Sequence, residues 1–161
     1  MFGLFKSKKP FIQDKIEDIV ARKPYLKEAI KNNVKIKNDI YLFLDEKIRS
    51  GDTNESVGLA LIAHLPFFVG YIADQLDGTI FFRKSDAIET LLMLQYTSYP
   101  HLDERQTNMM ERMCSELADS AFYKAGQNYS KNFKQENVVT YFMSVCEESL
   151  SEIKEILRRN S

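Results

Sequence analysis

Seventeen consecutive residues, Val57 to Ala73 (VGLALIAHLPFFVGYIA), carry no formal charge, and Asp52, Glu55 and Asp74 close the run on its two sides. A membrane span needs about 20 predominantly apolar residues and is usually flanked by Lys or Arg. This run is shorter, holds the titratable His64 and the helix-perturbing Pro66, and sits in a chain of mean hydropathy -0.34. The reading that fits is the central helix of a water-surrounded core. Asp52 and Glu55 have capping-box spacing for its start, Ser50-Gly51 ends the preceding helix, and Gly78 is the candidate stop. Pro66 lacks a backbone donor and crowds the carbonyl of Ile62, which predicts a kink near Leu65 or two helices meeting there.

The rest of the chain repeats its apolar residues at helical spacing. Phe11, Ile12, Ile16, Ile19 and Val20 form one stripe, and Pro24 opens the next helix, which carries Leu26, Ile30 and Val34. Asn32-Asn33 marks a candidate break before Ile40, Tyr41, Leu44 and Ile48, and Val34-x-Ile36 alone could pass for a short strand. Ser85-Asp86 has the character of a cap, Tyr99-Pro100 of a stop, and Gln127 to Asn137 of a polar loop after a helix ending near Gly126. Val138, Phe142, Val145, Cys146, Leu150, Ile153 and Leu157 mark a long amphipathic last helix. With six glycines, four prolines and no hairpin dipeptide, the expected fold is all-α. It is a single-domain compact bundle of five to seven helices over residues 11–161, preceded by an apolar-basic tail at 1–10. Cys114 and Cys146 lie in helical apolar patterns and not in a disulfide or zinc framework. Together with the lack of a secretory signal pattern, this gives a cytoplasmic expectation.

Charge supplies the first functional lead. Residues 1–50 hold twelve Lys or Arg against seven acids, whereas residues 51–161 hold ten against sixteen. Lys23, Lys27, Lys31 and Lys35 recur every fourth residue, which on one continuous helix stacks four ammonium groups on a slowly drifting stripe. Like charges at that spacing cost a few tenths of a kcal/mol each, so an anionic partner is the functional explanation and a solvated face the plain one. With Arg confined to Arg22 and Arg49 in residues 1–50 and a pI near 6.2, nucleic acid is disfavoured as that partner.

The decapeptide MFGLFKSKKP offers a membrane variant. Phe2, Leu4 and Phe5 could enter an interface, and Lys6, Lys8 and Lys9 would favour anionic headgroups. Such a short segment gives weak, reversible association at most, and Gly3 is misplaced for myristoylation. Adjacent Met109 and Met110, with Met113, could line an adaptable groove; about 100° apart on one helix, the first two cannot share one narrow seam.

A second lead is two carboxylate pairs, Asp86-x-x-Glu89 and Glu116-x-x-Asp119, each on one helix face. Antiparallel packing of their helices would let the four groups hold Mg²⁺. This spacing resembles the acid-x-x-Glu and Glu-x-x-Asp pairs of the all-α nucleoside triphosphate pyrophosphohydrolases, with Asp86 where that family usually has Glu. The resemblance covers those four positions and implies a Mg²⁺-dependent phosphohydrolase. No nucleophile elbow, P-loop or dinucleotide fingerprint is present, and His64 reads as a buried neutral imidazole bonded to a backbone carbonyl or a side chain. The leading expectation is therefore a non-catalytic protein-binding module of the adaptor, regulator or immunity type, working without a cofactor. The Mg²⁺ enzyme and the membrane-surface protein are its competitors.

Overall fold

The computed structural model describes residues 11–76, 84–96, 101–116 and 120–159. Seven α-helices and one π-helical turn occupy them: α1 Phe11–Arg22, α2 Leu26–Ser50, α3 Glu55–Leu76, α4 Lys84–Tyr96, α5 Glu104–Glu116, α6 Ala121–Asn128, the π turn Tyr129–Phe133, and α7 Val138–Arg159. No strand occurs among the described residues. Residues 1–10 with the tail's Phe2, Leu4, Phe5, Lys6, Lys8 and Lys9, Gly78, Tyr99-Pro100 and Asp119 lie outside the described residues.

The apolar run becomes α3, and the other helices wrap it. It packs against α2, α4, α5, α6 and α7, with its most extensive partner α6. Residues 65–73 are all buried, so this half of the helix is enclosed on every face. By length and composition α3 could cross a membrane; here 67% of its apolar window is buried within the bundle. Pro66 lies inside the helix and does not divide it. The enclosing side chains offset the lost backbone bond, which in an exposed helix interior costs about 3 kcal/mol.

The approach of α6 depends on two glycines. A Cβ on Gly70 would lie 2.0 Å from the Tyr123 carbonyl oxygen, and one on Gly126 would lie 2.0 Å from the Phe67 carbonyl oxygen. Backbone therefore meets backbone where α3 crosses α6, and only hydrogen fits at either position. Gly126 consequently serves the crossing and not a helix stop: α6 continues to Asn128 and runs into the π turn.

Several expected boundaries shift for local reasons. α3 is capped by Asn54, whose Oδ1 accepts from Val57 N at 2.9 Å, because Asp52 is held instead by Lys47. Gly51 does end α2, at φ 71° with its N–H on the Ile48 carbonyl. Asn32-Asn33 breaks nothing; α2 runs unbroken through it and through Val34 and Ile36, and buried Asn33 donates from Nδ2 to Gln75 Oε1 at 3.1 Å. Most of the expected loop Gln127–Asn137 is helical as well. Its polar letters concealed two anchors: Tyr129, 2% exposed, packs on Phe67 and Tyr71, and Phe133 stacks on Tyr141. Only residues 134–137 leave the helix, and Asn137 Oδ1 then caps α7 through Val139 N and Thr140 N at 3.0 and 3.1 Å.

Candidate functional site

The basic stripe does not stay together. Pro24 and Tyr25 turn the chain before α2 begins at Leu26, which removes Lys23 from the helix carrying Lys27, Lys31 and Lys35. Lys23 Nζ instead lies 2.5 Å from Asp86 Oδ1 and 2.6 Å from Glu89 Oε2, on the first turns of α4. Arg22 reaches Glu89 at 3.5 Å, and Tyr25 Oη donates to Asp86 Oδ2 at 3.3 Å. Burial alone would lower the Lys23 pKa; the hydrogen bonds from Lys23 to Asp86 and Glu89 outweigh it and raise the pKa. Asp86 is 1% exposed, so this pair is a buried clamp joining the α1–α2 corner to α4.

The clamp decides the standing of the carboxylates. Asp86 and Glu89 already face the Lys23 ammonium, and a divalent cation would have to displace it. Glu116 lies exposed, 2.6 Å from Arg112 one turn earlier. Among the described residues no three His, Cys, Asp or Glu side chains converge as a metal-binding group. The side chains described here do not fit Mg²⁺. Lys27, Lys31 and Lys35 remain exposed on α2 as a three-membered basic face.

The structure draws together a different set of residues. A cleft of about 340 Å³ opens between α2, α3 and α5. Its α2 wall carries Tyr41, Leu44, Asp45 and Ile48; its α3 wall Leu61, His64 and Leu65; its third wall Leu102, Gln106, Met109 and Met110. The two methionines divide as their 100° offset requires: Met109 is 61% exposed at the lip, while Met110 packs against the core. Ile48 and Leu61 are also exposed apolar residues. Tyr41, Leu44 and Ile48 fall on successive turns of α2, which is the spacing that puts them on one wall.

His64 is the polar centre of the cleft. Its Nδ1 lies 3.3 Å from the Ala60 carbonyl oxygen, which can only accept, so Nδ1 carries the proton and Nε2 keeps its lone pair. Burial lowers its pKa to about 4 against the smaller opposing effect of the backbone bonds, which leaves a neutral imidazole near pH 7. The ring meets Tyr41 edge-on at 5.3 Å. Asp45 at the cleft edge is paired with Arg49 at 2.8 Å, and Gln106 forms a reciprocal cap with Asp103 through bonds of 2.8 and 3.0 Å. The cleft is thus an apolar trough with one fixed acceptor and a polar rim, suited to binding. Nothing in it supplies an activated nucleophile: the Cys146 thiol is fully buried elsewhere, and burial raises it to about 12.

Part of this site was visible in the sequence. The adjacent Met109 and Met110 signalled that one of the two would stand exposed, and of the two partners expected for His64, a backbone carbonyl or a side chain, the ring has the Ala60 carbonyl. The α2 wall was missed, because Tyr41, Leu44 and Ile48 read only as core. Lys37 was missed altogether: its position is 1% exposed, its Nζ sits 5.3 Å from the Tyr41 ring centroid, and burial lowers its pKa to about 8. Comparison with known proteins gave no match to any family model, characterised protein or solved structure.

Proposed function

We propose that this protein is a non-catalytic protein-binding module that takes an apolar segment of a partner into the cleft between α2, α3 and α5. The supporting observation is that cleft, where Ile48, Leu61 and Met109 stand exposed around an otherwise apolar trough. A monomeric protein scatters exposed apolar side chains; their grouping around a concavity marks a contact surface. Methionine suits the role because its unbranched, polarisable side chain repacks around different shapes. In this reading Lys27, Lys31 and Lys35 on α2 act at longer range and guide an acidic partner by charge.

A photo-crosslinking residue at position 109 in living cells tests the reading. It should capture a specific protein in a way abolished by Leu61→Glu and absent when the crosslinker is at exposed position 136. Equal capture at both positions, or capture indifferent to Leu61→Glu, removes the cleft as the binding surface. Replacing Lys27, Lys31 and Lys35 together by Gln should slow association about tenfold at low salt and leave dissociation unchanged. An association rate unaffected by salt would remove the steering role.

A further inference from the structure

One apolar face of α7 turns away from the bundle. The helix lies against α3 from Phe142, whose ring meets Phe67, through buried Cys146 to Lys154, which is bonded to Glu55 at the start of α3. These contacts fall in a row of every fourth residue, and each step of four turns about 40° round a helix, so α3 passes to one side of α7. By the level of Lys154, Ile153 points about 100° away from that contact and Ile156 about 160°. Ile153, Ile156 and Leu157 are accordingly 46%, 56% and 64% exposed. Single exposed apolar side chains are ordinary on a surface; three within two turns on one helix face make a contact strip.

The charges beside the strip say what fits it. Exposed Glu147 and Glu148 precede Ile153 by six and five residues, and exposed Arg158 and Arg159 follow it by five and six. Eleven residues make three turns and about 20°, so Glu147 shares one flank of the strip with Arg158, and Glu148 shares the other with Arg159. Each flank is therefore acidic before Ile153 and basic after it. The helix dipole does not account for the two acids, which lie in the middle of α7. A two-fold axis through Ile153 that sets two such strips face to face runs the helices antiparallel and lays each flank on its own copy. Glu147 then faces Arg158 of the second copy and Glu148 its Arg159, and the same pairs recur in reverse; parallel helices would set acid on acid. Positions equidistant from Ile153 also match in size, with Leu157 opposite Ser149 and Ile156 opposite Leu150. Arg159 is bonded to Glu155 of its own chain, an exposed pair of little worth, and the five donors of a guanidinium can serve both carboxylates. We propose that this face of α7 is the contact between two copies of the chain in an antiparallel, two-fold dimer centred on Ile153. The strip is small beside the roughly 800 Å² per partner of a standard interface, so the dimer is reversible and dissociates at about 100 µM. It shares no residue with the cleft between α2, α3 and α5 and stands independently of the function proposed for it.

Sedimentation equilibrium of the full chain, from about 10 µM to about 1 mM, should resolve monomer and dimer. Ile153→Glu should weaken the dimer by about tenfold or more, since it buries a charge at the centre of the contact. Each half of the charge pattern is then reversed separately. Glu147→Arg with Glu148→Arg, or Arg158→Glu with Arg159→Glu, should weaken the dimer about tenfold at low salt, because like charges now face each other on both flanks. All four substitutions in one chain should restore it, a rescue that neither a parallel arrangement nor damage to the fold produces. A chain that stays monomeric over the whole range overturns the inference. So does a dimer indifferent to Ile153→Glu, or a fourfold reversal that fails to restore association. A monomeric chain that sediments with phosphatidylserine vesicles, and stops doing so on Ile153→Glu, overturns it in favour of a lipid contact.

Discussion

The two halves of α3 share the uncharged run Val57–Ala73 and do different work. From Leu65 to Ala73 every residue is buried and the backbone itself touches α6; from Glu55 to His64 only Val57, Ala60 and Ala63 are buried, while Leu61 borders the cleft. The first half repeats small residues inward and larger apolar ones outward. Apolar character thus put the whole helix in the bundle, but the number of neighbours available at each end decided which part became core and which became surface.

The largest expected effect lies at the sealed end. Gly70→Ala forces a methyl group into the Tyr123 carbonyl, which can move only with α6, and should cost about 4 kcal/mol or more, or abolish folding. Denaturant unfolding of the variant measures this; a loss under about 1 kcal/mol would mean that the helices do not cross backbone to backbone. Phe67→Ala should follow at about 3–5 kcal/mol, since its fully buried ring contacts Phe142 at 5.0 Å and Tyr129 at 6.2 Å. Leu61→Ser at the open end should stay within about 1 kcal/mol of wild type in the same experiment.

The boundary between the halves should show in pH dependence. Because the folded His64 pKa is depressed to about 4 from an unfolded value near 6.5, the unfolded chain binds the proton more readily between those values. Its contribution to stability is full above pH 6.5 and declines as the pH falls toward 4, by at most about 3 kcal/mol. His64→Gln should flatten that part of the stability–pH curve; an unchanged slope would show that the imidazole is not enclosed. The smallest effect has the opposite sign. A Cβ at Gly58 meets nothing within 4 Å, so Gly58→Ala should stabilise the open half by about 1 kcal/mol through helix propensity. The same substitution twelve residues later is the most damaging of the set, so the pair measures the contrast directly.

Helices were legible because a 3.6-residue period survives single-sequence reading, and Gly51 was legible because a left-handed stop suits glycine. Gly126 was misleading for the same reason: a glycine near an expected helix end reads as a stop, whereas here it makes room for Phe67's carbonyl. The stretch from Gln127 read as a loop because its frequent polar residues outvoted Tyr129, whose partner Phe67 lies far back in the sequence on α3, and Phe133, which stacks on Tyr141 of the next helix. Asp86 and Glu89 do share one face of α4, yet spacing within a helix says nothing about the cation that another element brings. Lys23, sixty-three residues from Asp86, was that cation.

The order of residues determined that the chain would build helices and that Val57 to Ala73 would seek shelter from water, because periodicity and hydrophobicity are properties of neighbours along the chain. Tertiary structure decided which half of α3 was sealed, which acids were neutralised, and where Met109, His64 and Ile48 formed a cleft. Those outcomes depend on which helices come within a few ångströms of one another, and short-range contacts of that kind leave no trace in local spacing.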